Sequence, residues 1–374
     1  MRLHHLLLGL TLAATQAHAQ WDIEDSHTTA SLRGIHNVGG GVAWASGTNG
    51  TVLRTEDGGY LWQTCNIPPG AEKLDFRGIQ AFDENTAIVM SSGTGDLSRL
   101  YKTTDGCQTW KLLFTNPDKE GFWDAIKFSN RDTGVLLGDP VNNNFVVMLT
   151  FNGGEKWERQ TLRATEDING EGVFAASNSS LLLEYGVGNR IFCTGGHGGP
   201  RVISLGTGPG DYSPDPTDKL HWSRSLSASL LPTKDPTFES NGCFSLAADK
   251  RGLGTVVAVG GNYKHPDDRN DTAWTNVYVN STNYKDEFAW HASKTPPHGY
   301  RSSVAYNAEQ KLWITVGPNG TDISTDDGKN WTPLKPSPQD PPDADKNWNA
   351  LSLPFVVGPH GRIGRLRTID NPKK

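Results

Sequence analysis

Short apolar runs separated by polar, glycine-rich turns fill the chain from end to end. One set is Val42-Ala43-Trp44-Ala45, Ala87-Ile88-Val89-Met90, Gly134-Val135-Leu136-Leu137, Leu181-Leu182-Leu183, Val256-Val257-Ala258-Val259, Trp313-Ile314-Thr315-Val316 and Phe355-Val356-Val357. A second set lies just upstream of each: Leu32-Arg33-Gly34-Ile35, Phe76-Arg77-Gly78-Ile79, Trp123-Asp124-Ala125-Ile126, Phe174-Ala175-Ala176, Phe244-Ser245-Leu246, Arg301-Ser302-Ser303-Val304 and Asn349-Ala350-Leu351. Runs this short, bounded by turn residues, predict strands. Further runs such as Thr51-Val52-Leu53-Arg54 and Phe145-Val146-Val147-Met148-Leu149 lead through a fixed turn into short outgoing runs such as Trp110-Lys111-Leu112-Leu113-Phe114, which reads as hairpins.

The fixed turn is a repeated phrase, Ser/Thr-x-Asp-x-Gly-x-x-Trp. It runs from Thr55 to Trp62, Thr103 to Trp110, Thr150 to Trp157 and Ser324 to Trp331, with Asp57, Asp105, Asn152 and Asp326 at its third position. The first two steps between tryptophans are 48 and 47 residues. A period near that length predicts repeated supersecondary units. Asp or Asn can hold backbone amides in the turn, and glycine supplies a positive φ. The phrase resembles the Asp-box, or BNR repeat, of β-propeller proteins. Turn chemistry accounts for its fixed positions, so these acids are read as structural rather than catalytic.

Taken together, the runs predict an all-β chain folded as a seven-bladed β-propeller. Outer-strand tryptophans are Trp62, Trp110, Trp157, Trp222, Trp290 and Trp331, and a seventh outer strand is missing. Arg365-Leu366-Arg367 looks like a third strand with nothing after it, while Trp21-Asp22-Ile23 looks like an outer strand with no blade before it. The N-terminal strand is therefore expected to complete the last blade, which removes a free sheet edge. Blades four and five lack the phrase; their tryptophan steps lengthen to 65 and 68 residues, with inserts at 206–219 and 263–272. Long inserts in such an array tend to line a binding face.

Composition narrows the setting. Arg2, the apolar stretch Leu6 to Ala14 and Ala17-His18-Ala19 read as a secretory signal over residues 1–19, leaving residues 20–374 as one propeller domain. The apolar stretch is too short to span a membrane. An exported protein, periplasmic or extracellular in a bacterium, is expected, and a monomer. A formal charge of −6 argues against general nucleic-acid binding. Four cysteines fit disulfides outside the cytoplasm. Cys193 and Cys243 fall on one face of adjacent blades and are expected to pair; Cys65 and Cys107 lie in neighbouring blades and offer a second pair. No C-x-x-C spacing points to metal, and no cofactor is expected.

The order of phrases, seven inner strands and N-terminal closure resembles the photosystem II assembly and stability factor family of seven-bladed propellers, over roughly Trp21 to Arg367. That resemblance implies a binding or assembly scaffold, with an arginine patch meeting the partner. Arg33 and Arg77 take matching positions in adjacent blades, Arg301 lies near the equivalent place in blade six, and Asp124 interrupts the series in blade three.

The phrase sits on one face, so candidate chemistry moves to the other, where outer-to-inner connections meet second-to-third turns. Candidate ligand-binding residues there are Arg33, Arg77, Asp139, His197, His265, Asp267, His298 and Arg301. Arginines fork onto carboxylates or phosphates. Three functions compete. A non-catalytic scaffold would bind an envelope protein or an anionic ligand. A glycoside hydrolase, sialidase-like or glucanase-like, would use Asp124, Glu171 and Tyr300, with paired acids or a tyrosine nucleophile. A lectin would bind a glycan on exposed aromatics such as Trp123, Trp348 and Tyr263.

Overall fold

The computed structural model describes residues 18–19, 21–160, 168, 170–185, 189–205, 226–234, 239–249, 254–277, 289–367 and 369. The leader expected at the N-terminus, the insert at 206–219 and Trp222 fall wholly or largely outside them. Among the described residues the strands group into seven four-stranded antiparallel units, with those of blades four and five joined into one sheet where Gly195 pairs with Gly242. Blade one is Leu32–Gly39, Val42–Gly47, Val52–Thr55 and Gln63–Thr64, and blade two is Phe76–Ala81, Ala87–Ser91, Arg99–Thr103 and Lys111–Thr115. Blade three is Trp123–Phe128, Gly134–Val141, Asn144–Thr150 and Glu158–Arg159; blade four is Leu181–Tyr185, Asn189–Gly196, Arg201–Leu205 and Leu226–Leu230. Blade five is Asn241–Ala248, Thr255–Asn262, Ala273–Val277 and Trp290–Ala292, and blade six is Ser303–Asn307, Leu312–Gly317, Gly320–Ser324 and Thr332–Pro336. Blade seven takes Ala350–Ser352, Phe355–Val357 and Ile363–Leu366 from the C-terminal end and Trp21–Glu24 from the N-terminal end. Each first strand touches the first strand of the next blade, and that of blade seven touches that of blade one, so the ring is closed.

Burial explains the apolar runs. Second strands are sandwiched between neighbouring blades and are buried almost throughout, as in Ala87–Ser91 and Thr255–Asn262. Outer strands are largely exposed, as in Gln63–Thr64. Among the described residues the buried apolar side chains fall into seven clusters, each straddling one blade–blade interface. The core is thus a set of radial seams. Disulfides join Cys65 to Cys107 across blades one and two, and Cys193 to Cys243 across blades four and five.

Closure runs as expected from the sequence. Trp21 pairs with Leu366 and Glu24 with Ile363. Trp21 is 1% exposed, packs on Trp348 at 6.0 Å and donates its indole N–H to Thr321 of blade six. Glu24 accepts from the Trp62 indole of blade one at 2.8 Å. One strand therefore ties three blades. The preceding His18–Ala19 runs parallel to Thr332–Pro336.

Blade four departs from the reading of its sequence. Phe174-Ala175-Ala176 is not its first strand, and Leu181-Leu182-Leu183 is first rather than second. Glu171–Gly172 and Leu181–Tyr185 both pair with Asn189–Gly196, and the chain between them bulges toward the axis. Polar side chains hold the bulge there. Asn178 accepts from the Ile126 amide and donates to the carbonyls of Ile79 and Ile126; Ser177 donates to the Ser302 carbonyl; Ser179 meets Ser245. Contacts to blades two, three, five and six satisfy the polar groups that would otherwise keep this segment at the surface.

The four repeated turns are built alike. The Thr55 hydroxyl donates to Asp57 and accepts from the Gly59 amide at 3.0 Å, while Asp57 accepts from the Leu61 amide at 3.0 Å. The same three bonds recur from Thr103, Thr150 and Ser324. Two successive residues take a positive φ in every copy, including Cys107 at 65° and Asp327 at 61°, where a glycine is replaced. Thr55 is buried, so Thr55→Val leaves the Gly59 amide without its acceptor. It is expected to lower the unfolding free energy by about 1–3 kcal/mol, read by denaturant titration, with ligand binding on the opposite face unchanged.

Candidate functional site

Near the axis the first strands crowd together. A Cβ at Gly34 would meet Ser46 Oγ at 2.4 Å and Ile79 at 3.1 Å, and one at Gly78 would meet Ile126 and Met90 at 3.0 Å. At that point the strand pairing slips by one residue: between Leu32 and Gly34, Phe76 and Gly78, Trp123 and Ala125, and Cys243 and Ser245. Each slip is a β-bulge, and a bulge re-aims the side chain of its extra residue. The extra residues are Arg33, Arg77, Asp124 and Phe244.

Arg33 and Arg77 share one carboxylate. Arg77 Nε lies 2.8 Å and Arg33 Nε 3.6 Å from Asp75 Oδ2; the two arginine side chains are 31% and 28% exposed. Burial and the neighbouring Arg77 hold the Arg33 pKa below its usual value, with Asp75 opposing. Arg77 Nη1 also approaches the Ala175 carbonyl at 3.4 Å, and its guanidinium lies 6.0 Å from the Phe122 ring centroid. From Ala175 the circle continues through Phe174, which stacks on Phe244 at 4.0 Å. Phe244 meets the edge of Tyr300 at 4.8 Å, and Tyr300 is close enough to Arg33 to feel its charge. These groups ring the axis.

Asp124 and Asp139 stand beside this ring. Asp124 is 1% exposed, and burial first, then Asp139, raise its pKa well above the usual carboxylate range against the pull of Arg77. Burial lifts Asp139 to about 6, against the hydrogen bond it accepts from the Val173 amide at 2.8 Å. Burial likewise raises the Tyr300 hydroxyl, which disfavours the phenolate. Glu171 is enclosed beside the Thr194 hydroxyl and Arg201, whereas Tyr300 packs on Phe244 and faces Arg33.

Arg301 is not the counterpart of Arg33 and Arg77. Ser303 pairs with Val316, and the Ser302 amide bonds the same Val316 carbonyl, so Ser302 is the extra residue in blade six. Arg301 falls one place earlier, where Leu32, Phe76, Trp123 and Cys243 point into the blade interface. There it is fully buried, with Nε on Asp322 Oδ2 at 2.9 Å, Nη2 on the same oxygen, and Nη1 on the carbonyl of Tyr300 and on Asn319. His298 Nδ1 lies 2.8 Å from Asp322 Oδ1. Burial pushes the Asp322 carboxyl up, but Arg301 and His298 together hold it below its usual range.

The remaining candidates lie elsewhere on that face. His197 meets Glu239 at 3.1 Å, Asp267 accepts from Asn319 at 3.3 Å, and His265 is exposed in the turn of blade five's insert. Trp123 and Trp348 are buried at 0% and 1% and offer no open platform; Tyr263 is 45% exposed. Among the described residues no group of three or more His, Cys, Asp or Glu is arranged to hold a metal, and no helix is long and apolar enough to cross a membrane. A groove of about 330 Å³ opens on the opposite face between the first hairpins of blades six and seven, lined by Asn307, Gln310, Pro354 and Arg367 among others. Phe244 was missed in the sequence reading. The recurring apolar–x–small–Ile/Leu pattern, completed by Cys243-Phe244-Ser245-Leu246, was the signal that marked it.

Two stability tests follow from this geometry. Arg301→Ala leaves Asp322 buried without its main counter-charge and is expected to cost about 3–5 kcal/mol in denaturant unfolding. Asp139 binds its proton more tightly folded than unfolded, so stability falls as pH rises from about 4 to about 6, then levels. The contribution is on the order of 3 kcal/mol. Asp139→Asn keeps an acceptor for Val173; it is expected to be more stable than the native protein at pH 7 and to flatten that slope.

Comparison with known proteins agrees with the architecture. No family model matches the chain. A curated relative, the photosystem II assembly lipoprotein Ycf48 of Synechococcus sp. (strain CC9902), is 24% identical over 197 residues; the match spans 49% of this chain and 54% of that relative's length. A solved structure described as YCF48 bound to D1 peptide superposes with a TM-score of 0.61 at 15% identity, covering 94% of this chain and all of that one. YCF48 from Cyanidioschyzon merolae gives 0.59 at 18%, covering 93% and 99%. The GH74 xyloglucanase of Xanthomonas campestris gives 0.53 at 15%, covering 93% of this chain but 54% of the enzyme. The chain is an all-β propeller that resembles the Ycf48-type photosystem II assembly factors.

Proposed function

We propose that this protein is an exported, non-catalytic propeller that holds a carboxylate-bearing segment of another envelope protein at the axial arginine pair. The observation that carries this reading is the convergence of Arg33 and Arg77, from equivalent bulges in adjacent blades, on the single carboxylate of Asp75. Two guanidiniums against one carboxylate leave a positive site, and the planar fork of arginine suits a second carboxylate. A propeller of the same fold is known bound to a peptide of D1, which supports a protein segment as ligand.

Glycoside hydrolysis is the second reading, favoured by the adjacent acids Asp124 and Asp139 and by the fold shared with a xyloglucanase. The enclosure of Asp124 weighs against it, since a hydrolytic acid must reach the glycosidic oxygen. The test uses the purified protein as bait on envelope extracts, together with a polysaccharide panel. Retention of one protein, reduced by Arg33→Gln or Arg77→Gln and lost in the double variant, is the expected outcome. Retention indifferent to both substitutions, or sugar release abolished by Asp124→Asn, would sink the proposal.

A further inference from the structure

His298 stands where the insert of blade five, blade six and the approach to blade seven meet. Its Nδ1 lies 2.8 Å from Asp322 Oδ1, and its Nε2 lies 3.1 Å from the Asn319 carbonyl oxygen. Both ring nitrogens therefore face acceptors. A neutral imidazole carries one N–H and one lone pair, so either tautomer sets a lone pair against an oxygen. Arg301 Nη2, 2.9 Å from Nδ1, could donate to the tautomer protonated at Nε2, yet that tautomer still turns its lone pair on Asp322 Oδ1. Only the imidazolium donates on both sides.

The charges around the ring favour the proton. Asp322 and Arg301 face it from blade six, and Asp345 from the connection to blade seven. Asp345 is 5% exposed, and its Oδ1 is buried with no hydrogen-bond partner. A Cβ at Gly320 would lie 2.4 Å from His298 Nε2 and 3.4 Å from Asp345 Oδ2, so the glycine leaves ring and carboxylate facing each other. At the edge of the cluster Lys346 acts on Asp345, Arg269 acts on Arg301, and Asp267 accepts from Asn319. With the proton on, His298 and Arg301 balance Asp322 and Asp345. Without it, two enclosed carboxylates share Arg301 alone, and an uncompensated buried charge is costly.

The turn that the ring grips also holds the insert at 263–272. Asn319 Nδ2 donates to the Pro266 carbonyl at 2.9 Å, and the Tyr300 amide donates to the same carbonyl at 2.9 Å. On the other side the Asn347 amide donates to the Pro318 carbonyl at 3.0 Å. We propose that His298 is a proton-operated clasp: its imidazolium ties the turn at Asn319 to Asp322, and with that turn the insert of blade five, and loss of the proton frees the insert from blade six. The clasp is independent of what the mouth binds. Its proton is held more tightly closed than open, so closure is strongest at low pH and weakens as pH rises. An opening that releases one proton becomes up to about tenfold more favourable per pH unit.

Amide hydrogen exchange from about pH 6.5 to about pH 8.5, corrected for the intrinsic rate, tests this over the range in which imidazoles titrate. The reporters are the Asp268 amide, bonded to the His265 carbonyl, and the Tyr300 amide, bonded to Pro266. Their protection is expected to fall about tenfold or more across that range while that of Val42–Gly47 in blade one holds steady. His298→Gln should leave the reporters weakly protected at every pH. Asp345→Asn, which removes a facing charge, should move the fall to lower pH, and it keeps the test decisive if His298→Gln does not fold. Nitrogen-15 NMR of the native ring should show both nitrogens protonated at about pH 6.5. A bare ring nitrogen at that pH, protection that does not change across the range, a fall that persists in His298→Gln, or a fall at the same pH in Asp345→Asn would overturn the clasp.

Discussion

A single blade cannot stand alone, because its second strand carries apolar side chains on both faces. Thr255–Asn262 is buried at every position, and it becomes so only when blades four and six lie against the two sides of blade five. The ring must therefore close, or one seam opens to water. Burying apolar surface is the dominant favourable term in folding, and here it is divided over seven seams. The strand Trp21–Glu24 closes the last of them, with Trp21 between blades six and seven and Glu24 held by the Trp62 indole.

Closing a ring of seven crowds the first strands at the centre. Where they approach, only a small residue fits, as at Gly34 and Gly78, and the pairing slips beside it. That slip turns the preceding side chain toward the axis. Which positions turn toward the axis is therefore set by the packing of the scaffold, and those positions hold Arg33, Arg77, Asp124 and Phe244. The bulge from Val173 to Ser180 then fills the space the ring encloses and carries Phe174 into the same mouth.

Charge is handled in two ways on this one face. Arg301 is enclosed and saturated by Asp322, Asn319 and a backbone carbonyl, an arrangement that holds the approach to blade six and has no capacity for a ligand. Arg33 and Arg77 share Asp75 and keep part of their surface in water. The contrast is one of register. A residue one place earlier along the first strand points into a seam, and the next points into the mouth.

The repeat phrase and the apolar runs were enough to read the all-β propeller class and the N-terminal closure, because each rests on local turn chemistry or on a count of strands. The equivalence of Arg33 and Arg77 was legible for the same reason, since both stand in the same short pattern before a glycine. Arg301 was misassigned because Tyr300-Arg301-Ser302-Ser303 offers two small residues, and only the pairing of Ser303 with Val316 shows which one marks the slip. Blade four misled in the same way: Phe174-Ala175-Ala176 has the composition of a strand, and only contacts to four other blades hold it as a bulge. The grouping of aromatic rings beside the arginines was decided by the tertiary structure. Phe174, Phe244, Tyr263 and Tyr300 are spread over more than a hundred residues of sequence, and they meet only because a closed ring brings three blades to one axis.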